Sequence, residues 1–413
     1  MNEYRAHISK PLSDEGRRKL YLSLGRNMAV YNVQLDYLCS ILKTESKDKC
    51  AWLYRNISFI ALDLCAVLRA CLNAKSLYER RFHVKYLWVN MYEAYVALYN
   101  HSGDAKSYMN RLRMNDKSLE NDCEYEMILK RLAIVHDVFS GISYNRNSFI
   151  HYDDDMVETY KRLVGIKSEE EPTELCCELL AIFQMVKKLC ERNINLIIDT
   201  SWQPSSNEIA DDIFAYLRGL LAQNQSMHET LGRVIQSVPN DIDSDVKLIK
   251  CFADPACKKH RSVGQLLNIH IMIQLMRLDL TVSLNACFNA SDNIESMLGI
   301  RRAQIIRLEG LSHIQEMWKR LPENLRNADE ELFIASLVKA VDNESRNSMV
   351  HYRYGSKDYL ESLYKDCKDV NKQKKILEDI PMLLNSLTQF QNLLTSKLKQ
   401  CSYENDLYTS RDR

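Results

Sequence analysis

The chain is expected to be all-helical and to consist of two related halves. Three observations carry this. Gly and Pro are scarce, 11 and 7 in 413 residues. Few turns are being made, so long helices joined by short loops suit the chain better than a β-sandwich or a glycine-rich α/β fold. Apolar residues recur at helical spacing, while alternating strand patterns are scarce. And segments of the first half return, in the same order, in the second.

Bulk properties narrow the setting. The length allows roughly two to four domains. With 46% apolar and 27% charged residues the chain can bury real cores. Lys plus Arg equals Asp plus Glu, 55 each, so contact with nucleic acid requires a local basic groove rather than net charge. The opening "MNEYRAHISK" has no apolar leader core. No uncharged apolar run approaches the ~18–20 residues that span a bilayer. The 13 Cys are odd in number and irregularly spaced, with no CxxC; they read as reduced core thiols of a cytoplasmic protein.

The elements follow in order. "LDLCAVLRACLNA" at 62–74 places Leu64, Val67, Leu68 and Cys71 on one helical face. "YLWVNMYEAYVALY" at 86–99 is apolar nearly all round, the pattern of a central helix. "NHSGDAKSYMNRLRMNDKSLEND" at 100–122 is polar and turn-prone. "ELLAIFQMVKKLCERNINLII" at 178–198 closes the first half as a long helix. The seam is placed at "DTSWQPSSN", 199–207, where Pro204 joins small polar residues and Asn207 can cap a helix starting "EIADDIFAYLRGLL". A second break is expected at "SVPNDIDSD", 237–245. "LDLTVSLNACFNA" at 278–290 then repeats the first block with eight of thirteen positions identical, and "MLLNSLTQFQNLLTSKLK" at 382–399 closes the second half. Each half also carries an Arg pair after its block, Arg80-Arg81 and Arg301-Arg302. The domains are therefore 1–198 and 208–413, joined by 199–207.

A second repeat carries chemistry. "RNSFIHYD" at 146–153 returns as "RNSMVHYR" at 346–353. The motif follows its block by 84 residues in the first half and 68 in the second, which places the first half's extra residues near 100–122. Each motif follows a polar, cap-like stretch and is expected at a helix start. Asn147 and His151, like Asn347 and His351, then share one face four residues apart. The long side chains of Arg146 and Arg346 can bend to the same spot. Arg grips a phosphate with a planar fork, a helix start offers free N–H groups to an anion, and His moves protons near neutral pH. A lone Arg or His in a helical protein is usually structural; recurrence in both halves argues for more.

Arg146-Asn147-(x3)-His151 and Arg346-Asn347-(x3)-His351 resemble the signature of the HEPN superfamily, Arg and a polar residue followed by His. The resemblance covers about 55–198 and 265–400. It implies two HEPN-like helical bundles paired within one chain about a pseudo-two-fold, their motifs facing each other to form one composite site. It also implies a metal-independent endoribonuclease acting on single-stranded or structured RNA such as transfer RNA, as in HEPN toxins and abortive-infection proteins of antiviral defence. No cofactor is called for. Arg146, Asn147, His151, Arg346, Asn347 and His351 would be catalytic, and Tyr152 and Tyr352 would stack on bases or pack in the seam. The partners are RNA and a neutralising or activating protein; association of two chains stays open, and no membrane is involved. The alternative is a non-catalytic HEPN-like module that binds RNA or nucleotide, or serves as a scaffold.

Other signals are weaker. "HYDDDM" at 151–156 offers carboxylates beside a His, but the second copy reads "HYRYGS", so a shared metal chemistry does not follow and a solvated acidic turn or a helix cap is the better reading. Cys251, Cys257 and His260 lack the fourth ligand and close pairing that zinc favours. "KKHR" at 258–261 reads as solvated surface. No Walker A, GxGxxG or GxSxG sequence is present, which weighs against an NTPase, a dinucleotide enzyme and a serine hydrolase.

Overall fold

The computed structural model describes residues 12–42, 49–99, 107–115, 117–140, 155–193, 213–224, 226–252, 261–338 and 359–409. Among them every regular element is helical and there is no strand. The first half runs α1 (Asp14–Ile41), α2 (Lys49–Leu72), α3 (Leu77–Leu98), α4 (Tyr108–Asn115), α5 (Cys123–Ser140), α6 (Met156–Gly165) and α7 (Glu170–Asn193). The second runs α8 (Ile213–Gln223), α9 (Met227–Phe252), α10 (Arg261–Phe288), α11 (Asn293–Lys319), α12 (Ala328–Val338), α13 (Tyr359–Lys368) and α14 (Val370–Thr409).

The packing plan recurs. α2 lies against α1, α3 and α7; α10 lies against α9, α11 and α14. The repeated block ends α2 and α10, and the turn after it is built the same way twice. Asn73 N–H donates to Arg69 O at 3.0 Å, and Asn289 N–H to Asn285 O at 3.0 Å. Ser76 caps α3 by accepting from Glu79 N–H, and Asp292 caps α11 by accepting from Glu295 N–H. Each Glu returns a carboxylate to the free N–H groups before its helix: Glu79 accepts from Ser76 at 2.7 Å and Glu295 from Ser291 at 2.7 Å. These caps satisfy donors that a helix start cannot pair internally, and at α3 they form a full capping box. α4 and the 3₁₀ turn Lys117–Asn121 have no counterpart after α11, where only the short turn Glu323–Leu325 intervenes. They lie within the stretch where the sequence places the first half's extra residues.

α2 and α10 are buried nearly all round, more completely than the single apolar face read for 62–74, and α3 is largely buried as expected. Leu64, Val67, Leu68 and Cys71 are all inside. Each such Leu or Val contributes about 1.5–3 kcal/mol by leaving water. One continuous apolar core runs through both halves. Within α10, Val263–Phe288 is long and apolar enough to cross a membrane, but 89% of its most apolar stretch is buried inside the protein. Arg277 and Asp279 interrupt it, and both find partners: Arg277 donates to Gln391, and Asp279 pairs with Lys85.

Two expectations are corrected. Residues 237–245 are not a break; they lie inside α9, which runs through Pro239. Ile235, Val238 and Ile242 are buried along one face, and this packing outweighs the hydrogen bond that proline removes. The two Arg pairs are not equivalent. Arg80 and Arg81 stand in the first turn of α3, whereas Arg301 and Arg302 lie two turns into α11, in register with Lys85 and Tyr86. The seam 199–207 and the Asn207 cap lie outside the described residues.

Candidate functional site

Arg146, Asn147, His151, Tyr152, Arg346, Asn347, His351 and Tyr352 all lie outside the described residues, as do Asp153, Asp154, Cys257 and His260. What is described is the frame around them. The first motif falls between α5 and α6, and the second between α12 and α13. Asp155 of the acidic run is the cap of α6, its carboxylate accepting from Glu158 N–H at 3.0 Å. Among the described residues no three His, Cys, Asp or Glu side chains are placed to share a metal ion.

The helix after each motif packs on the opposite half, α6 against α10 and α13 against α2. The first free N–H of α6, on Met156, donates to Asn268 Oδ1 of α10 at 2.9 Å. Tyr160 of α6 donates to the carbonyl of Pro239 in α9 at 3.2 Å. Tyr364 of α13 sits 2.8 Å from both Asn32 Oδ1 and Asp36 Oδ1 of α1. Both phenols are buried, and their pKa values are pushed up by burial first. Each is followed by Lys, a small Tyr-Lys repeat too short to stand out in the sequence.

The junction of the halves is built from contacts that recur with the halves exchanged. Asp63 of α2 pairs with Arg301 of α11, and Asp279 of α10 pairs with Lys85 of α3 at 2.7 Å. Arg69 of α2 pairs with Glu295 of α11 at 3.0 Å, and Asn285 of α10 donates to Glu79 of α3. All eight positions obey one shift of 216 residues along the chain.

Between these contacts lies a pocket shared by the two halves. Arg69 and Asn285, Asn73 and Asn289, and Glu79 and Glu295 line it as matched pairs, and Ala70 with Ala286 and Ala74 with Ala290 keep it open. Four lining residues break the match, Ala66, Lys75, His83 and Arg302. Arg302 stands where the first half has Tyr86, and His83 where the second has Gly299. Both are 3% exposed. Arg302 Nε and Nη1 and His83 Nδ1 have no hydrogen-bond partner among the described residues. Burial lowers the Arg302 pKa, with Asp63, Cys287 and Glu295 opposing that and Arg301 adding to it. Burial, and then the Arg302 charge, hold the His83 pKa well below its ordinary value, so this ring is neutral at pH 7. The sequence signals that point here are "NAKSLYE" and "NASDNIE", which extend the repeated block by a helix cap and a Glu three residues on, and the Lys85/Arg301 match beyond it.

No protein-family model, curated protein or solved structure matches the chain.

Proposed function

We propose that the protein is a metal-independent endoribonuclease whose two halves are HEPN-like bundles paired about an approximate two-fold axis, with one composite site formed by Arg146, Asn147, His151, Arg346, Asn347 and His351. The observation that carries this reading is the reciprocity of the junction. Asp63–Arg301 answers Asp279–Lys85, and Arg69–Glu295 answers Asn285–Glu79. Contacts of this i-to-j, j-to-i kind are what a two-fold interface produces. A frame with that symmetry favours bringing two copies of a motif together. The crossing over of α6 and α13, the helices that follow the two motifs, adds to it.

The chemistry follows from the residue types. One neutral His takes the proton of a ribose 2′-OH, and the 2′-oxygen attacks the adjacent phosphorus. The P–O5′ bond breaks, and the second His or water protonates the leaving 5′-oxygen. Arg146 and Arg346 stabilise charge on the phosphorane, and Asn147 and Asn347 orient the rings or the phosphate. The products are a 2′,3′-cyclic phosphate and a 5′-hydroxyl.

The test is end-group analysis of labelled single-stranded and transfer RNA incubated with the purified chain in excess EDTA. Cyclic phosphate ends, and resistance of a substrate carrying a 2′-deoxy sugar at the cleaved position, are the expected result. Products with 5′-phosphates, or loss of activity on chelation, would make it a metal nuclease. RNA binding without cleavage would make it the non-catalytic module.

A further inference from the structure

We infer that the pocket between the two repeated blocks binds an oxyanion, either free phosphate or the phosphate group of a nucleotide, through Arg302 and His83. The inference is independent of the ribonuclease reading. Its basis is an unmatched set of donors. Arg302 lies on α11 and lines a space held open by alanines, and two of its nitrogens are buried without a hydrogen-bond partner among the described residues. Leaving such a group unmade costs about 1–3 kcal/mol per group. The carboxylates near it are already engaged. Asp63 holds Arg301, Glu295 holds Arg69 and Ser291, and Glu79 holds Asn285 together with the N–H groups of Lys75 and Ser76.

The chemistry of the open positions selects the ligand. A buried guanidinium favours an anion, to which its N–H groups make charge-assisted hydrogen bonds. His83 faces the same pocket from α3 and, being neutral, adds a donor without adding repulsion. Lys75 stands exposed at the rim, its ammonium resting on Asn289 Oδ1 at 3.3 Å. Donors supplied from α3, α11 and the rim suit a tetrahedral group better than a planar carboxylate. Because the lining residues come from both halves, an anion seated between them would tie α3 to α11.

Isothermal titration calorimetry of the full chain tests this, with inorganic phosphate and adenosine 5′-monophosphate as probes and sodium chloride at equal ionic strength as the control. One saturable phosphate per chain is expected. Arg302→Met should abolish it, and Lys75→Glu, a change at the exposed rim that leaves the core intact, should weaken it roughly tenfold or more. Tighter binding of the nucleotide identifies a nucleotide phosphate as the ligand; binding of inorganic phosphate alone identifies the free ion. The double variant His151→Ala/His351→Ala should bind phosphate unchanged. Loss of binding in that variant would put the anion at the motifs and overturn the inference. So would the absence of saturable binding, or an unchanged affinity in Lys75→Glu.

Discussion

Asp63 of α2 and Arg301 of α11 form an ion pair sealed from water, with side chains 0% and 4% exposed. The pair joins the two halves of the chain, and Asp279 with Lys85 repeats it in the opposite sense at 2.7 Å. A pair buried this deeply is a strong constraint on geometry and a weak source of net stability. Asp63→Ala should cost about 3–5 kcal/mol, because the Arg301 charge is left buried without its partner. Asp63→Leu combined with Arg301→Met should recover most of that loss. Urea unfolding of the two variants makes the measurement, and a double variant no better than the single one would refute the account.

Composite catalysis makes a different demand. His151→Ala and His351→Ala should each abolish RNA cleavage, and the double variant should be no worse, since groups acting as one unit are not additive. RNA binding, followed by filter retention, should largely survive in all three. Full activity in either single variant would mean that its motif is structural.

His83 predicts an acid-sensitive fold. Its pKa is held well below 6.5 in the folded protein by burial and the Arg302 charge. As pH falls below about 6.5 the unfolded chain takes up a proton that the folded chain refuses. Stability present above that pH is then lost, with a slope of up to about 1.4 kcal/mol per pH unit from this residue. Urea unfolding between pH 7.5 and 5 should show a shallower decline in His83→Gln than in the parent.

Lys187 predicts a second pH dependence, on the alkaline side. It is buried under the rings of Tyr31 and Tyr54, with Nζ 4.4 and 4.6 Å from the ring centres. Burial brings its pKa down from 10.5 to about 8. The folded chain sheds this proton before the unfolded one does, so stability falls as pH drops from about 10 to 8 and is level below that. Above pH 10 the phenols of Tyr31 and Tyr54, both pushed upward mainly by burial, reverse the trend as the unfolded chain ionises first. Lys187→Met should flatten the window between pH 8 and 10 when chemical denaturation is repeated there.

Much of the fold was legible in the residues because helix formation is local. Scarce Gly and Pro, the spacing of Leu64, Val67, Leu68 and Cys71, and the all-round apolar run at 86–99 name helices that the structure contains. The repeated block was legible too, since identical residues need no fold to be seen. Pro239 misled, because proline reads as a break and only packing along α9 shows that the helix continues through it. The Arg pairs misled for a related reason. Resemblance without register matched Arg80-Arg81 to Arg301-Arg302, whereas the true partner of Arg301 in the repeat is Lys85.

The motif residues Arg146, His151, Arg346 and His351 were found from the sequence alone, as was the repeat that relates them. The reciprocal pairing of Asp63 with Arg301 and Asp279 with Lys85, and the placing of Arg302 and His83 against one pocket, came only with the tertiary structure. Propensity and periodicity act over a few residues and so are written in short windows. An ion pair between positions 63 and 301, or a donor left without an acceptor, depends on which helices meet across the core, and no local window contains that information.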